Sequence, residues 1–481
     1  MDLQALNLTP AYAEMFVLGA ACIILLIDVF LRDEQRWLTA TLTFAALAGA
    51  AAITTYVSGV NSRVTTLGDM YVADPMGDVL KLFTYLIVGV SLLYSREYLA
   101  RRGLFRGEYY VLVLFAMLGI MVIISANSLL TIYLGIELLA LSLYALVAFD
   151  RESGIAAESA MKYFVLGAIA SGTLLYGISI IYGVTGTFQL DDLALALTDE
   201  SAQNVGLLFG LAFLVVGIAF KFGAVPFHMW IPDVYHGAPT SVTLFIGSAP
   251  KIASFALAIR VLAEGLGATG AAWSDMLTVL AVLSMGLGNV VAIAQTNLKR
   301  MLAYSTISHV GFILLGILAG TPQGYQAAMY YTIAYTIMAV GSFGMILLLS
   351  RKGFEADELD DFKGLNQRSP WFAAVMLMFM FSTAGVPPFI GFFAKLYVIL
   401  AVLDVGMVWL AAVAVFFSVI GAFYYIRVVK LMYFDDPKEA GPVPGHPEMR
   451  ALLSANGLVL LVFGILPQPL MAVCLAAVLA L

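Results

Sequence analysis

The chain has 481 residues, of which 62% are hydrophobic and only 11% are charged, and its net charge is −7. A soluble domain carries roughly 25% charged residues, so this composition excludes a soluble protein and predicts one that is surrounded by lipid. The negative net charge argues against a nucleic-acid partner, and two cysteines are too few for an iron–sulfur cluster or a structural zinc site, which need about four ligands.

A helix needs about 20 apolar residues to cross a membrane, and the sequence contains fourteen apolar stretches suited to this. They predict an all-α polytopic membrane protein with about fourteen transmembrane helices. The first stretch lacks the basic segment of a cleaved signal peptide, so we expect it to be a permanent span. The predicted spans are 13–31, 37–58, 75–95, 109–126, 128–149, 159–184, 204–222, 240–262, 271–294, 300–319, 325–350, 370–403 with a break, 405–427 and 451–476.

The basic residues predict the orientation of these spans. Seventeen of the 24 lysines and arginines lie in the loops that follow spans 1, 3, 5, 9, 11 and 13. The opposite side carries only Arg63 and, near a helix end, Arg260. Because loops rich in lysine and arginine stay in the cytoplasm, both termini are predicted on the outer side of the membrane.

The stretch 221–241 interrupts the apolar pattern at the end of span 7. It places Pro226 and Pro232 on either side of His228. A proline inside a helix removes a backbone hydrogen bond and clashes with an upstream carbonyl group. In hydrocarbon, the freed polar groups need partners in protein or in a water-filled cavity. We therefore predict a broken membrane helix that lines a polar path, with Pro226 and Pro232 as the breaking residues.

Span 12 contains a second helix breaker. It is too long for one straight crossing, and it includes Gly385-Val-Pro-Pro-Phe389. Pro387 and Pro388 therefore predict a break, and Lys395 follows in the second half of the span.

A faint internal repeat relates spans 4–8 to spans 9–13. The matching segments, in the same order in both halves, are 127–137 with 297–308, 160–163 with 328–331, and 225–227 with 387–389. A unit of five helices is odd in number, so the second copy would be inverted, as in transporters whose broken helices mark the transport path. We expect N-terminal helices at 1–107, a first repeat at 108–268, an inverted second repeat at 269–433, and a cytoplasmic loop with helix 14 at 434–481.

Ionisable side chains inside the spans are candidates for proton transfer. Each costs roughly 2.5–3.5 kcal/mol to insert, so the cost of five of them calls for a function. Burial favours the neutral form of a lysine and a nearby carboxylate favours the charged form, so a series of such groups can pass a proton along. The alternative is that they only hold helices together. The candidates, all predicted at mid-span depth, are Glu137, Lys162, Lys221, Lys251 and Lys395.

Two histidines and a further lysine each allow two interpretations. Histidine titrates near neutral pH and suits proton relay. His228 lies in the first break and His309 in the hydroxyl-rich segment of span 10. Both are candidate relay residues, and hydrogen-bonded packing is the alternative. Lys81, one or two turns after Asp74 and Asp78, is expected to snorkel and to pair with them.

These motifs resemble those of one known family. The pattern Lys-x-Gly-x-x-Pro-Phe-His-x-Trp-x-Pro-Asp with Gly-Ala-Pro-Thr, together with Glu137, Lys251 and the Pro-Pro-Phe break before Lys395, resembles the antiporter-like membrane subunits of respiratory complex I, the proton-translocating NADH:quinone oxidoreductase. The resemblance covers essentially the whole chain. Its length, its Gly-Ala-Pro-Thr-Ser-Val segment and the lysine at 395 are similar to those of the N type.

The resemblance implies specific roles. Glu137 and Lys221 would form the pair of the proton-input half-channel, Lys251 the central relay, and Lys395 the group that loads the outer half-channel. It also implies that this chain holds no cofactor, since NADH, FMN, the iron–sulfur clusters and quinone belong to partner subunits. Other antiporter-like subunits, of the M and L types, and small membrane subunits would be its neighbours in the bacterial inner membrane.

Two other functions remain open at this point. The chain could belong to a multi-subunit Na⁺/H⁺ antiporter, which shares the fold but has no redox partners. It could also be a scaffold that does not transport, in which the buried charges only fix helix packing.

Overall fold

The computed structural model of the chain describes residues 7–58, 63–197, 204–438, 441, 443 and 445–479. Nearly all regular structure in these ranges is helical. The helices are α1 (Tyr12–Phe30), α2 (Trp37–Val57), α3 (Pro75–Arg102), α4 (Gly107–Ile124), α5 (Leu129–Val147), α6 (Gly154–Thr185), α7 (Leu190–Ala196), α8 (Val205–Phe222), α9 (Trp230–Gly237), α10 (Thr240–Ile246), α11 (Ala249–Ala258), α12 (Gly270–Ile293), α13 (Leu298–Leu318), α14 (Pro322–Leu349), α15 (Leu365–Arg368), α16 (Pro370–Ala384), α17 (Ile390–Asp404), α18 (Val408–Phe434), α19 (Pro447–Ile465) and α20 (Gln468–Val478).

The predicted number of membrane crossings is confirmed. In the described ranges, thirteen helical segments are long and apolar enough to cross a membrane. The shorter helices α16 and α17 together correspond to predicted span 12, the remaining one of the expected fourteen. A small addition to the all-α prediction is an antiparallel hairpin of β1 (Val64–Thr66) and β2 (Tyr71–Ala73), in which Val64 pairs with Ala73. The inverted repeat and the side of the membrane on which each terminus lies stay predictions.

The two predicted helix breaks are confirmed, with one correction. α8 ends at Phe222 and α9 begins at Trp230, and α16 ends at Ala384 before α17 begins at Ile390. Pro226 lies in the first connection, and Pro387 and Pro388 lie in the second. The prediction that Pro232 breaks the helix is wrong, because it is the third residue of α9. In the first turn of a helix the missing N–H group has no helical partner to lose.

Each half-helix before a break ends at a left-handed glycine. Gly223 has a φ of 78° and Gly385 a φ of 88°. Glycine reaches this conformation without a Cβ penalty. At Gly385 space adds a second requirement, since a Cβ atom there would lie 2.8 Å from Cδ of Lys395. At position 385, both the left-handed backbone and the short distance to the Lys395 side chain therefore require glycine.

Two predicted spans contain interruptions that were not expected. Span 8 divides into α10 and α11 at Gly247 and Ser248. Pro250 lies in the first turn of α11, where it has no N–H group to bond the carbonyl of Ile246, the last residue of α10, and its ring would clash with that carbonyl in a continuous helix. Span 14 divides into α19 and α20 at Leu466 and Pro467. Both errors came from treating these prolines as part of continuous helices.

The helices differ strongly in how far protein surrounds them. α14, α13 and the segment Thr240–Gly265 are almost entirely enclosed by other helices. In α1, α18 and α19, by contrast, most residues are at least partly accessible. The polar groups of the enclosed helices therefore lie inside protein, and the exposed apolar faces are available to lipid and neighbouring proteins.

A buried ion pair joins α3 to the π-helical turn Ile259–Gly265, which continues α11. The Arg260 side chain is fully buried, and its Nη1 and Nη2 atoms lie 2.6 and 2.9 Å from the two carboxylate oxygens of Asp74. Its Nε donates to the carbonyl oxygen of Ile124 at 3.0 Å, and Nη1 also contacts Glu264 at 2.6 Å. This contact ties the first three helices to the rest of the bundle.

The expected surroundings of Lys81 are wrong. Its side chain is 3% exposed and does not snorkel. Its partner is Glu14 of α1, with Nζ 2.6 Å from Oε1, and Nζ also donates to the Tyr71 hydroxyl at 2.8 Å. Asp74 is held by Arg260 instead. Because Glu14 is 67 positions away along the chain, only the packing of α1 against β2 and α3 brings the pair together.

Candidate functional site

Lys221 at the end of α8 and Lys251 in α11 line the same internal cavity. The cavity has a volume of about 30 Å³, enough for about one or two water molecules. Ser254 and the ring of Trp230 also line it, and the remaining wall is largely apolar. Lys251 is almost completely buried, and Lys221 is half-buried. The break in span 7 thus places two amino groups beside one small space inside the protein.

Three carbonyl groups at the end of α8 accept hydrogen bonds from side chains. The last carbonyl groups of a helix have no helical partner and carry partial negative charge. An ammonium group placed there is stabilised, and the backbone is satisfied at the same time. The three contacts are Trp230 Nε1 to Phe220 O at 3.0 Å, Ser254 Oγ to Lys221 O at 3.2 Å, and Lys251 Nζ to Phe222 O at 2.7 Å.

Glu137 of α5 is the acidic residue of this group. Among the described residues, its side chain makes no direct ion-pair contact with Lys221. One carboxylate oxygen of Glu137 is shielded from solvent and has no hydrogen-bond partner within the described ranges. The pairing of Glu137 with Lys221 therefore stays a prediction.

Lys162 does not join this group. The prediction that Lys162 is buried is wrong, because its side chain is 46% exposed. Its Nζ atom lies 2.9 Å from Glu158 and 3.0 Å from Asp233. Asp233 also contacts Arg300 Nη1 at 3.0 Å. These charged groups attach α9 to α6 and α13 at the surface of the bundle.

Lys395 of α17 occupies a corresponding position at the second break. It is 8% exposed. Its Nζ donates to the carbonyl oxygen of Ala384, the last residue of α16, at 2.8 Å and to Ser418 Oγ at 3.0 Å. Nζ also lies 5.1 Å from the centre of the Phe312 ring. At both breaks, therefore, a buried lysine meets the carbonyl end of a half-helix.

His309 lies in a network of hydroxyl groups between α13, α14 and α18. Its Nδ1 is 2.7 Å from the Tyr331 hydroxyl and its Nε2 is 3.1 Å from the Tyr425 hydroxyl. Tyr425 in turn contacts Ser305 Oγ at 2.5 Å. His228, by contrast, is half-buried in the first break and is not a lining residue of the cavity between Lys221 and Lys251.

A polar pocket of about 180 Å³ opens beside the C-terminal end of α9. Its walls include Glu355, His236 and Lys299. Glu355 accepts a hydrogen bond from the Tyr98 hydroxyl at 3.0 Å and also contacts Thr240 Oγ1 and Arg102. The buried Lys299 ammonium donates to the carbonyl oxygen of Ala238 at 2.8 Å. Charged groups therefore surround the junction between α9 and α10.

Sequence reasoning missed most of the partners of the buried lysines. Ser254 could have been found, because it lies three residues after Lys251 and so on the same helix face. Ser418 and Tyr425 carry no such signal, since they belong to a helix far along the chain from Lys395 and His309. Glu355 looked like an ordinary loop residue. The distances that join these groups are set only by helix packing.

Comparison with known proteins gives a consistent result. The family described as NADH:quinone oxidoreductase/Mrp antiporter, TM, matches residues 126–421. A protein of Thiobacillus denitrificans named NADH-quinone oxidoreductase subunit N is 59% identical over 479 residues, which are 99% of this chain and 99% of that protein.

Solved structures are similar over nearly the whole chain. A chain in the structure entitled respiratory complex I from Thermus thermophilus with bound aureothin is 30% identical, has a TM-score of 0.84, and is covered over 100% of its length by 97% of this chain. A chain of the Mrp complex from Dietzia sp. DQ12-45-1b has a TM-score of 0.85 at 23% identity, with 98% of this chain and 97% of that chain covered. The second likeness concerns the fold alone.

Proposed function

Because this chain belongs to the NADH:quinone oxidoreductase/Mrp antiporter family, and within it to the N subunits of respiratory complex I, we propose that it moves protons across the bacterial inner membrane through its buried lysines. The observation that carries the proposal is the cavity shared by Lys221 and Lys251 at a broken helix. Quinone reduction in partner subunits drives the transfer.

In the first half, protons move between Glu137, Lys221 and Lys251. Two ammonium groups beside one small apolar-walled cavity repel each other, so a proton that arrives at Lys221 favours a neutral Lys251, and the reverse also holds. The Glu137 carboxylate stabilises the charged form of Lys221. A change in the distance or charge of Glu137 therefore releases the proton of Lys221 towards the cavity.

In the second half, protons move from the His309 network to Lys395. The Tyr331 and Tyr425 hydroxyl groups hold both ring nitrogens of His309, so this imidazole can receive a proton on one side and release it on the other. Within the described ranges, no side-chain hydrogen bond joins this network directly to Lys251. Water completes the step in our proposal.

The pocket around Glu355 is the proposed site of proton uptake from the cytoplasm. It lies where α9 ends and α10 begins, on the side that the basic loops assign to the cytoplasm. Glu355, His236 and Lys299 provide groups that exchange protons with bulk water. Thr240, which contacts Glu355, begins the helical segment that leads to Lys251.

The two halves of this path correspond to the proposed inverted repeat, with the units 108–268 and 269–433 between 1–107 and 434–481. An interaction in each half supports it. Asn127, just before α5, donates to Asp191 at 2.8 Å, and Asn297, just before α13, donates to Asp357 at 2.9 Å. These asparagines are the residues matched by the sequence repeat. By the basic-loop rule, the first pair is outside and the second inside.

The chain has no redox role in this proposal. NADH, FMN, the iron–sulfur clusters and quinone are assigned to partner subunits, and both termini to the outer face. The energetic demand on the lysines is moderate, since moving one charge against 100 mV takes about 2.3 kcal/mol. A shift of one to two pKa units, each worth about 1.4 kcal/mol, is of the same size.

The test is to measure proton pumping and NADH oxidation together in complexes reconstituted into liposomes. Lys221→Ala and Lys395→Ala should lower the number of protons moved per NADH oxidised, with the complex still assembled. Lys430→Ala is the matched control, because this lysine is exposed and pairs with Asp435 at the surface. Unchanged pumping in both buried-lysine variants would support the scaffold alternative.

The Na⁺/H⁺ antiporter alternative makes a different prediction. In that case, the purified assembly would exchange sodium for protons without NADH. The Mrp likeness supports only the fold, whereas the close relatives are named as complex I subunits. Pumping that depends on NADH and not on sodium would exclude the alternative.

A further inference from the structure

A crevice of about 620 Å³ lies between the last turns of α3 and the start of α19. Volumes of about 300–1,000 Å³ are typical of sites for small molecules. Both apolar side chains and charged groups line it. We call it the α3–α19 crevice, and the lining residues that matter here are Trp37, Arg96, Arg101, Phe105, Glu448 and Met449.

The residues around the crevice are those expected at the level of the lipid headgroups. Arg96 and Arg101 are in the last turns of a membrane-spanning helix, next to basic loops. Trp37 begins α2 and is 56% exposed, and tryptophan is enriched at membrane interfaces. Phe30, at the nearby end of α1, is 85% exposed. Lipid is therefore the solvent expected beside this opening.

One wall of the crevice is fixed by its own contacts. Arg101 is paired with Glu97, and its Nη1 donates to the carbonyl oxygen of Ser350 at 3.2 Å. The other oxygen of Glu97 accepts a hydrogen bond from the backbone N–H of His446 at 2.9 Å. Because Arg101 and Glu97 already have partners, they form a fixed wall of the crevice. The second charged pair, Arg96 and Glu448, is the one that can bind a ligand.

That other pair is only weakly associated. Arg96 Nη1 and Glu448 Oε2 are 3.9 Å apart, and their side chains are 52% and 77% exposed. An exposed ion pair of this kind contributes only about 0–1 kcal/mol. A ligand that brings both a negative and a positive group can therefore replace the contact at little cost.

We propose that the α3–α19 crevice binds one zwitterionic phospholipid of the phosphatidylethanolamine class. Its phosphate accepts hydrogen bonds from Arg96, its ammonium group donates to Glu448, and an acyl chain lies against Phe105, Met449 and the Trp37 ring. A purely anionic phospholipid satisfies Arg96 but meets the Glu448 carboxylate. The crevice therefore discriminates by headgroup charge and not by the acyl chain.

The experiment is native mass spectrometry of the intact complex, delipidated and then incubated with phosphatidylethanolamine or phosphatidylglycerol. Arg96→Gln should weaken retention of phosphatidylethanolamine about tenfold, equivalent to about 1.4 kcal/mol. Glu448→Gln should abolish the preference for phosphatidylethanolamine over phosphatidylglycerol. Arg151→Gln, an exposed arginine outside the crevice, is the matched control. Lipid retention is measured without proton pumping, so a negative result would reject the lipid site and leave the proposed function untouched.

Two results would overturn the proposal. One is that the unmodified complex retains phosphatidylethanolamine and phosphatidylglycerol equally, and that the Arg96→Gln complex retains both as well as the unmodified complex does. The other is a photo-crosslinker at Met449 that reacts with a neighbouring subunit instead of with lipid, which would make the crevice a protein contact.

Discussion

Lys251 Nζ lies 2.7 Å from the carbonyl oxygen of Phe222, at the point where α8 stops in the interior of the protein. The lysine thus serves two needs that arise from one broken helix. It satisfies a carbonyl group that has lost its helical partner, and it places a titratable group beside the cavity shared with Lys221. The structural and functional roles of this residue have to be separated by experiment.

Lys251→Met should stop most proton pumping while the complex still assembles. Methionine keeps most of the side-chain volume and removes the donor, so the Phe222 carbonyl is left unsatisfied at a cost of about 1–3 kcal/mol. Proton uptake per NADH in liposomes is the measurement. Ser254→Ala is the control, because it removes the donor to the Lys221 carbonyl but keeps both amino groups. Normal pumping by Lys251→Met would contradict the proposed relay.

Lys162→Ala should reduce pumping less than Lys221→Ala does. Lys162 is 46% exposed, and Asp233 keeps its contact with Arg300 when Lys162 is removed. Exposed ion pairs contribute about 0–1 kcal/mol, so α9 should stay in place. The same liposome assay compares the two variants. An equal loss in both would show that the surface charges around Asp233 belong to the proton path.

Gly385→Ala should impair pumping much more than Gly406→Ala. Both glycines have left-handed backbones, with φ of 88° and 81°, and each substitution costs about 1–2 kcal/mol for that reason. Only at Gly385 does the added Cβ meet Lys395, whereas the space around Gly406 is open. The Lys395 ammonium should then move away from Ala384 and Ser418. Equal effects of the two substitutions would mean that the position of Lys395 is not critical.

Arg260→Met should destabilise the protein by about 3–5 kcal/mol, because it leaves the buried Asp74 carboxylate without its partner. The double variant Asp74→Asn with Arg260→Met should recover much of this loss, since no unpaired charge remains. Thermal unfolding of the purified complex, followed through this subunit, measures both. Lys430→Met, which breaks the exposed pair with Asp435, should change stability little. A double variant no more stable than Arg260→Met would show that the pair is not coupled.

The helix breaks were predictable because their cause is local. A proline in an apolar stretch frees backbone groups wherever the chain folds, and hydrocarbon cannot satisfy them. For that reason Pro226, Pro387 and Pro388 were placed correctly. The role of Pro232 was predicted wrongly, because the effect of a proline depends on whether it lies in the first turn of a helix. The position of that turn depends on where α9 begins after the break at Pro226, and the sequence does not show this.

The amino-acid sequence by itself determined the membrane class, the number of crossings, the two broken spans and the lysines beside them, since composition and local backbone chemistry decide these. Only the tertiary structure decided which charged groups are enclosed. Lys162 and Lys221 both follow from the sequence as lysines within apolar spans, but Lys162 lies at the surface of the bundle and Lys221 lines an internal cavity. The pairing of Lys81 with Glu14, and of Lys395 with Ser418, likewise depends on contacts between helices, which no short stretch of sequence encodes.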